Sequence, residues 1–322
     1  MASLLQTTLS WLQFFTIAYI ATKVIRTLQF YFLYHSDLSK YKPASGKAWA
    51  LITGSSDGIG KACAEELCRF GFNVIIHGRN EKKLKGVKAE LEKEFPGREV
   101  RLFVQEATGP WTDKTDSTVL ALVKDINLTI LINNVGGGVG IKPDFGFIAQ
   151  RSAKDIYDRI NANATFMTQI TRVLIPVLSR DKSQRSVICN ISSAAELVPA
   201  AYLVDYSATK AYVSRFSLSL NEELKISSPN IDVHSYIVGE VATAGSGQDA
   251  TVDTVFLPGA NRFARAAVSK LGCGHVVCTP YWPHGLGAGF ITSLPDWASG
   301  KLMSYMVGQL KAKRGQEDAK QR

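Results

Sequence analysis

Residues 48–60 read AWALIT-GSSDGIG: a continuous apolar run, Ala48 to Thr53, and then Gly54-Ser55-Ser56-Asp57-Gly58-Ile59-Gly60. A run of this length that ends in glycines and is followed by KACAEELCRF (61–70), with helical periodicity, predicts a buried strand, a tight turn and a helix. The strand is apolar throughout rather than alternating, so both of its faces are covered, as in a parallel sheet flanked by helices. Three glycines in seven residues let the backbone turn sharply at the helix N-terminus. There, free amides and the helix dipole attract anions such as phosphate.

The same alternation continues outward. FNVIIHG (72–78) is a second strand and EKKLKGVKAELEKEF an amphipathic helix; VRLFVQ, LTILINN, SVICNIS and IDVHSYIV are four more short apolar strands with helical stretches between most of them. Strand–helix alternation over this length predicts a doubly wound α/β fold with a parallel sheet. No repeat or low-complexity linker divides it. The expected organisation is residues 1–45 as an N-terminal segment, 46–280 as one domain and 281–322 as a C-terminal extension with a basic tail.

Three motifs fall at strand ends and a fourth on a helix. Gly54, Gly58 and Gly60 have GxxxGxG spacing, rather than the GxGxxG of the wider dinucleotide-binding class. Asn133-Asn134-Val135-Gly136 follows the fourth strand. Ser193, with Ser192 beside it, ends the fifth. Tyr206 and Lys210 stand four apart, on one face of a helix. A free tyrosine ionises too high for proton transfer near neutrality. A nearby lysine cation favours the phenolate, and the phenol can then act as a general acid toward a carbonyl oxygen.

These motifs, in this order, resemble the short-chain dehydrogenase/reductase family, with its glycine-rich turn, NNxG, serine and YxxxK. The resemblance covers roughly residues 47–245. Ser193 precedes Tyr206 by thirteen residues and Asn163 precedes Pro176 by thirteen, both as in the family. It implies a single Rossmann-type domain and a catalytic set of Asn163, Ser193, Tyr206 and Lys210. Ser193 would bind the substrate carbonyl, with Ser192 as the alternative. Asn163 would hold a water that continues the proton relay to Lys210, with Asn161 two residues away as a decoy. Cofactor contacts are expected from Gly54, Ser55, Ser56, Asp57, Gly58, Ile59, Gly60, Arg79, Asn80, Glu106, Asn133, Val135, Tyr206, Lys210, Gly239, Val241 and Thr243. Arg79 stands where NAD enzymes carry a carboxylate, which favours the 2′-phosphate of NADPH. Glu106 stands where the family usually has Asp, and Val238 replaces a common Pro.

The NNVG and INxN forms, the apolar N-terminus and TPYWPHG…SLPDW (279–297) narrow the resemblance. They point to the very-long-chain 3-oxoacyl-CoA reductases and related 17-beta-hydroxysteroid dehydrogenases of the endoplasmic reticulum. That implies an NADPH-dependent ketone reductase acting on a lipid or acyl-CoA, with a steroid, polyketide or terpenoid carbonyl as the alternative substrate. A non-enzymatic scaffold would not require Asn163, Ser193, Tyr206 and Lys210 together. Residues 244–262 carry no recognised motif and are expected to be a substrate lid. A homodimer is among the expected assemblies.

Ala2 to Thr22 carry no charge and are mostly apolar, about the length that spans a bilayer core. No positive charge precedes them, which argues against a cleaved signal peptide. Lys23, Arg26, Lys40, Lys42 and Lys47 follow, so a membrane anchor with the domain on the cytosolic face is expected. The aromatic run Leu28 to Tyr34 suits an interface. The chain ends with a lysine third from last, an incomplete dilysine signal. The net charge of +9 is spread over helix faces and the tail, which does not favour nucleic acid. Five cysteines, at 63, 68, 189, 273 and 278, lack metal-type spacing; no metal is expected, and they read as small buried hydrophobes in a reducing compartment. Three sequons, at Asn127, Asn163 and Asn190, fall on core elements and are expected to stay unglycosylated.

Overall fold

The apolar runs become seven short parallel strands. This computed structural model describes residues 2–44, 46–137 and 145–320. Side chains at 2–5, 7, 9 and 313–320, and so Lys313, Arg314 and Lys320 of the basic tail, lie outside the described residues, as does Arg322. After helix α1 (Ala2–Leu28) come β1 (Ala48–Ile52), α2 (Gly58–Arg69), β2 (Asn73–Gly78), α3 (Glu81–Glu94), β3 (Val100–Val104), α4 (Asp113–Val123) and β4 (Asn127–Asn133). There follow α5 (Ala153–Ile160), α6 (Phe166–Leu178), β5 (Ser186–Ile191), α7 (Val204–Ser227), β6 (Ile231–Tyr236), α8 (Ala260–Val268), β7 (Val277–Cys278), α9 (Trp282–Ser293) and α10 (Asp296–Lys320). The sheet order is β3-β2-β1-β4-β5-β6-β7. Every pairing is parallel.

Alternate residues of each strand feed two cores. Ala50, Ile52, Val74 and Ile76 pack with Ala62, Cys63, Leu67 and Phe263 on the side of α2 and α8. Trp49, Leu51, Ile75 and Phe103 pack with Val119, Phe166, Ile170 and Leu224 on the side of α4, α6 and α7. Strand order reverses between β1 and β4, and in doubly wound sheets the ligand crevice opens at the carboxyl end of that switch point. The Gly54 turn and the Asn133-Asn134 corner both lie there.

Three features go beyond the sequence reading. β7 is a two-residue strand, too short for any periodicity. The helical stretch around Asn163 is interrupted by a π turn, Asn161–Thr165, between α5 and α6. The segment before β1 is part of the domain: Leu38 and Tyr41 are buried, Tyr41 donates to Asp232 Oδ2 at 2.7 Å, and its carbonyl accepts from Thr129 Oγ1 at 2.6 Å. Residues 260–262, at the end of the expected lid, already belong to α8.

α1 continues through a π turn, Gln29–Leu33. Its large apolar side chains face outward, Trp11 at 58% and Phe15 at 63% exposure. Among the described residues no helix is long and apolar enough to cross a membrane. Gln6, Gln13 and the threonines dilute the apolar run of α1.

Candidate active site

Backbone geometry at the glycine turn explains its composition. Gly54 and Gly58 have φ of +64° and +55°, a region that a side chain disfavours. Gly60 serves close packing instead: a Cβ there would lie 2.3 Å from the Gly54 carbonyl oxygen. His77 braces the turn from β2. Its Nδ1 accepts the Gly54 amide proton at 3.1 Å, and its Nε2 faces the Gln105 carbonyl at 3.2 Å. That pattern requires the neutral ring with its proton on Nε2, and burial lowers its pKa to about 4. Asn134 ties β4 to the same turn, donating to the Thr53 and Gly54 carbonyls at 3.1 and 3.0 Å.

A groove runs along this edge. One end, about 230 Å³, is lined by Gly54, Ser56, Arg79, Glu106, Asn134 and Val135. It meets a second pocket of about 370 Å³ that reaches Asp57, Gly58, Ile59, Ser193, Tyr206, Lys210, Gly239, Val241 and Thr243. Arg79 has its side chain 64% exposed and pairs its Nη1 with Glu106 Oε2 at 3.4 Å. The other expected contacts take structural positions off the groove. Ser55 is fully buried and donates to the Ile52 carbonyl at 2.8 Å. Gly60 lies inside the α2 packing. Asn80 caps α3 by accepting from the Lys83 amide at 3.0 Å. Asn133 is buried and donates to Thr171 Oγ1 and Asn190 Oδ1 at 2.9 and 2.8 Å. The remaining set, a glycine cradle at a helix N-terminus with an exposed arginine at one end, fits a phosphorylated dinucleotide.

At the far end the structure gathers Asn163, Ser193, Tyr206 and Lys210. α7 carries Tyr206 and Lys210 on one face, with Lys210 Nζ 5.8 Å from the Tyr206 ring centroid and donating to the Ile191 carbonyl at 2.9 Å. Burial lowers the Lys210 pKa to about 8, against the pull of the Glu196 carboxylate. Burial raises the Tyr206 pKa, while a hydrogen bond with Ser193 and the Arg159 guanidinium pull it back. Asn163 is held in the π turn: its Oδ1 accepts from the Gly137 amide at 2.9 Å and its Nδ2 donates to the Arg159 carbonyl at 3.0 Å. Asn163 Oδ1 and Lys210 Nζ converge on Gly136, at 2.7 and 2.9 Å from where its Cβ would stand.

The two alternatives point elsewhere. Ser192 donates to the Lys210 carbonyl at 3.0 Å and bonds Glu196, which also accepts from Ser214 at 2.7 Å. Asn161 donates to the Thr108 carbonyl at 3.0 Å.

Beyond Ser193 and Tyr206 opens a mostly apolar cavity of about 750 Å³. Val238, Phe256, Phe290, Ile291, Met303 and Val307 form much of its wall, so α9, α10 and the loop after β6 close it. His284 of α9, within the TPYWPHG stretch, is a site residue to which the sequence reading gave no role. Its Nδ1 accepts from the Gly239 amide at 3.2 Å and its Nε2 faces the Glu240 carbonyl at 3.0 Å. It thus props the Val238-Gly239-Glu240 corner where the groove meets the cavity. Burial lowers its pKa to about 4 as well.

The comparisons bear on the family and the fold. Residues 48–251 match the family described as short chain dehydrogenase. A very-long-chain 3-oxoacyl-CoA reductase from Neurospora crassa is 32% identical over 278 residues, 83% of this chain and 80% of that one. A very-long-chain 3-oxoacyl-CoA reductase-like protein from Arabidopsis thaliana is 36% identical over 257 residues, 77% of this chain and 78% of that one. Among solved structures, a short-chain dehydrogenase from Sphingobium yanoikuyae in complex with NADPH superposes with a TM-score of 0.62 at 27% identity, covering 78% of this chain and 97% of that one. The chain therefore belongs to the short chain dehydrogenase family, oxidoreductases that interconvert alcohol and carbonyl groups, in the subgroup of the very-long-chain 3-oxoacyl-CoA reductases.

Proposed function

We propose that the protein reduces a long-chain 3-oxoacyl-CoA to the 3-hydroxyacyl-CoA with NADPH, as in fatty-acid elongation, while attached to the endoplasmic reticulum membrane with its domain in the cytosol. The observation that carries the substrate reading is the apolar cavity of about 750 Å³ that begins at Ser193 and Tyr206. It has room for an acyl chain, and its wall is built by the C-terminal extension. The names of the similar proteins support the acyl-CoA class.

NADPH, when bound, supplies the hydride. Gly54, Ser56, Gly58 and Ile59 would hold its phosphates, and Arg79 would turn from Glu106 toward the 2′-phosphate. Ser193 Oγ donates a hydrogen bond to the ketone oxygen and orients it. Tyr206 then donates its phenolic proton to that oxygen, the general-acid step. Lys210, with a pKa of about 8, can give up and regain a proton near neutrality, which suits resupply of Tyr206. Asn163 fixes the Gly136-Gly137 corner beside that ammonium. The α9–α10 wall keeps bulk water from the carbonyl.

Membrane attachment is supported by α1, whose described large apolar side chains are exposed, and by Phe290 and Trp297, 60% and 70% exposed on the extension. The cationic residues after α1 support a cytosolic domain.

The test is turnover of purified full-length protein on a panel of long-chain 3-oxoacyl-CoAs and oxosteroids, with NADPH and NADH. A 3-oxoacyl-CoA should be preferred by kcat/KM, with NADPH. Preference for a steroid would refute the substrate class. Carbonate extraction tests attachment: the full chain should stay with membranes, and removal of residues 1–45 should weaken its hold. A full chain that washes off with salt would refute the anchor.

A further inference from the structure

The cavity wall beside Tyr206 holds a buried charge that the steps above leave without a role. Arg159 is 1% exposed, the largest fully buried side chain among the described residues. It stands at the end of α5, and its Nε lies 3.2 Å from Asp205 Oδ2. Asp205 is the residue before Tyr206, and its Oδ1 accepts the Tyr206 amide proton at 3.0 Å. The Arg159 carbonyl in turn accepts from Asn163 Nδ2 at 3.0 Å. One ion pair therefore joins α5, which runs straight into the π turn that carries Asn163, to the helix that carries Tyr206 and Lys210. Arg159 and Tyr206 also line the same cavity.

Burying a guanidinium and a carboxylate is expensive, and well-packed apolar residues usually stabilise a fold at least as well. Stability alone is a poor reason for this pair. Position is a better one. We propose that Arg159, clamped by Asp205, is a positioning residue for the reaction: a second cation, besides Lys210, that stabilises the Tyr206 phenolate as its proton leaves. The proposal rests on Tyr206 being the proton donor.

The charged and titratable groups around Tyr206 come from several elements. α7 contributes Lys210 and Asp205, the corner after β6 contributes Glu240, α9 contributes the neutral His284, and α5 contributes Arg159; Glu196, in the turn after β5, acts on Lys210 instead. Asp57 faces the same groove from the glycine turn. Among the described residues lining the two pockets that meet at Tyr206, Arg159 and Lys210 are the only arginine and lysine. Lys210 is occupied by the Ile191 carbonyl. The guanidinium, always protonated, is the steadier of the two near neutrality. Its pull on the phenol against the effect of burial agrees with the role.

The reverse reaction reads this out. In alcohol oxidation the phenolate must take the proton, so kcat/KM rises with pH until Tyr206 is ionised. The full-length protein would be assayed with NADP+ and 3-hydroxyhexadecanoyl-CoA, with cyclohexanol as an acyl-free second alcohol. Arg159→Met should move the rising limb upward by about one pH unit. Below the limb it should lose roughly tenfold in rate and converge on the parent at high pH. Arg159→Lys should hold the limb near its original position. Should the lone Asp205 left by Arg159→Met prevent folding, the double change Arg159→Met/Asp205→Leu removes the whole pair and should show the same shift. A loss of rate that is uniform across pH, with the limb unmoved, would make Arg159 a packing residue and overturn the proposal. Tyr206→Phe separates the two levels. Near-parent turnover in Tyr206→Phe would overturn the reading of Tyr206 itself. Loss in Tyr206→Phe with an unmoved limb in Arg159→Met would overturn the second cation alone.

Discussion

Two glycines in successive helices should answer the same substitution with opposite sign. Helix propensity alone says that glycine to alanine in a helix interior stabilises by about 1 kcal/mol. Gly86, in α3, has nothing within 4 Å of where its Cβ would stand, so Gly86→Ala should realise most of that gain. Gly60, in the first turn of α2, is different. Its Cβ would lie 2.3 Å from the Gly54 carbonyl oxygen, 2.8 Å from the Gly54 carbonyl carbon and 2.6 Å from Asn134 Nδ2, where ordinary contact begins near 3.4 Å. Relief requires α2 to move about an ångström off the turn, because the obstructing atoms are largely backbone. Overpacking costs roughly 1–3 kcal/mol, and against rigid backbone atoms the upper end applies, which leaves a net loss of about 1–2 kcal/mol after the propensity gain. At a few degrees per kcal/mol, Gly60→Ala should melt about 2–6 °C below the parent, and Gly86→Ala about 1–3 °C above it. The displaced turn should also weaken NADPH binding in Gly60→Ala, while Gly86→Ala should bind as the parent does. Thermal melts in one detergent buffer, with fluorescence titration of NADPH, measure both. A Gly60→Ala protein that melts at or above the parent would refute the close-packing account of the motif's third glycine.

Three further outcomes are expected. Arg79→Ala should raise the KM for NADPH about tenfold and leave that for NADH nearly unchanged, as measured by steady-state kinetics with both cofactors. Ser193→Ala should cut turnover by roughly 10²–10³-fold with little change in NADPH affinity. Ser192→Ala should instead show mainly in a lower melting temperature, because that hydroxyl serves Glu196 and the Lys210 carbonyl. The third concerns pH. His77 is neutral when folded, with a pKa of about 4 against 6.5 in the unfolded chain. The unfolded state therefore binds the extra proton first, and the His77 contribution to stability, whole above pH 6.5, is lost as pH falls toward 4. A shift of that size amounts to about 3 kcal/mol, and urea midpoints across pH 4–7 should show the decline, shallower in His77→Gln.

How much of this was legible in the sequence depended on distance along the chain. The strand–turn–helix at 48–70 and the Tyr206–Lys210 pair are local patterns, and period and spacing alone mark them. Ser193 was distinguishable from Ser192 only by counting to Tyr206. The reason for the choice, that Ser192 is held by Glu196 and the Lys210 carbonyl, is a matter of folded contacts. A motif also does not say which of its members face the groove. Ser55, Gly60, Asn80 and Asn133 sit inside motifs whose neighbours line it, yet their own side chains or backbones brace the scaffold. The π turn that presents Asn163 has no sequence signature. His284 meets Gly239 across 45 residues, and Arg159 meets Asp205 across two elements. Those partnerships come from helices returning over the same sheet edge, which no periodicity records.

The junction between α1 and the domain has a mechanical consequence. Lys270 is buried, and its ammonium points at the carbonyls of Phe30, Tyr31 and Tyr34, at 2.6, 3.3 and 2.6 Å, where the helical run ends and such groups lack partners of their own. The Ser36 amide adds a bond to the Ser269 carbonyl at 2.8 Å, and Tyr41 is locked into the core a few residues on. A pliable tether would let the domain tumble and present its cavity in every direction. Here the swivel is bolted at several points within a dozen residues. Were α1 held at a surface, the domain would inherit its heading from that helix, and the cavity mouth would keep a set bearing toward it.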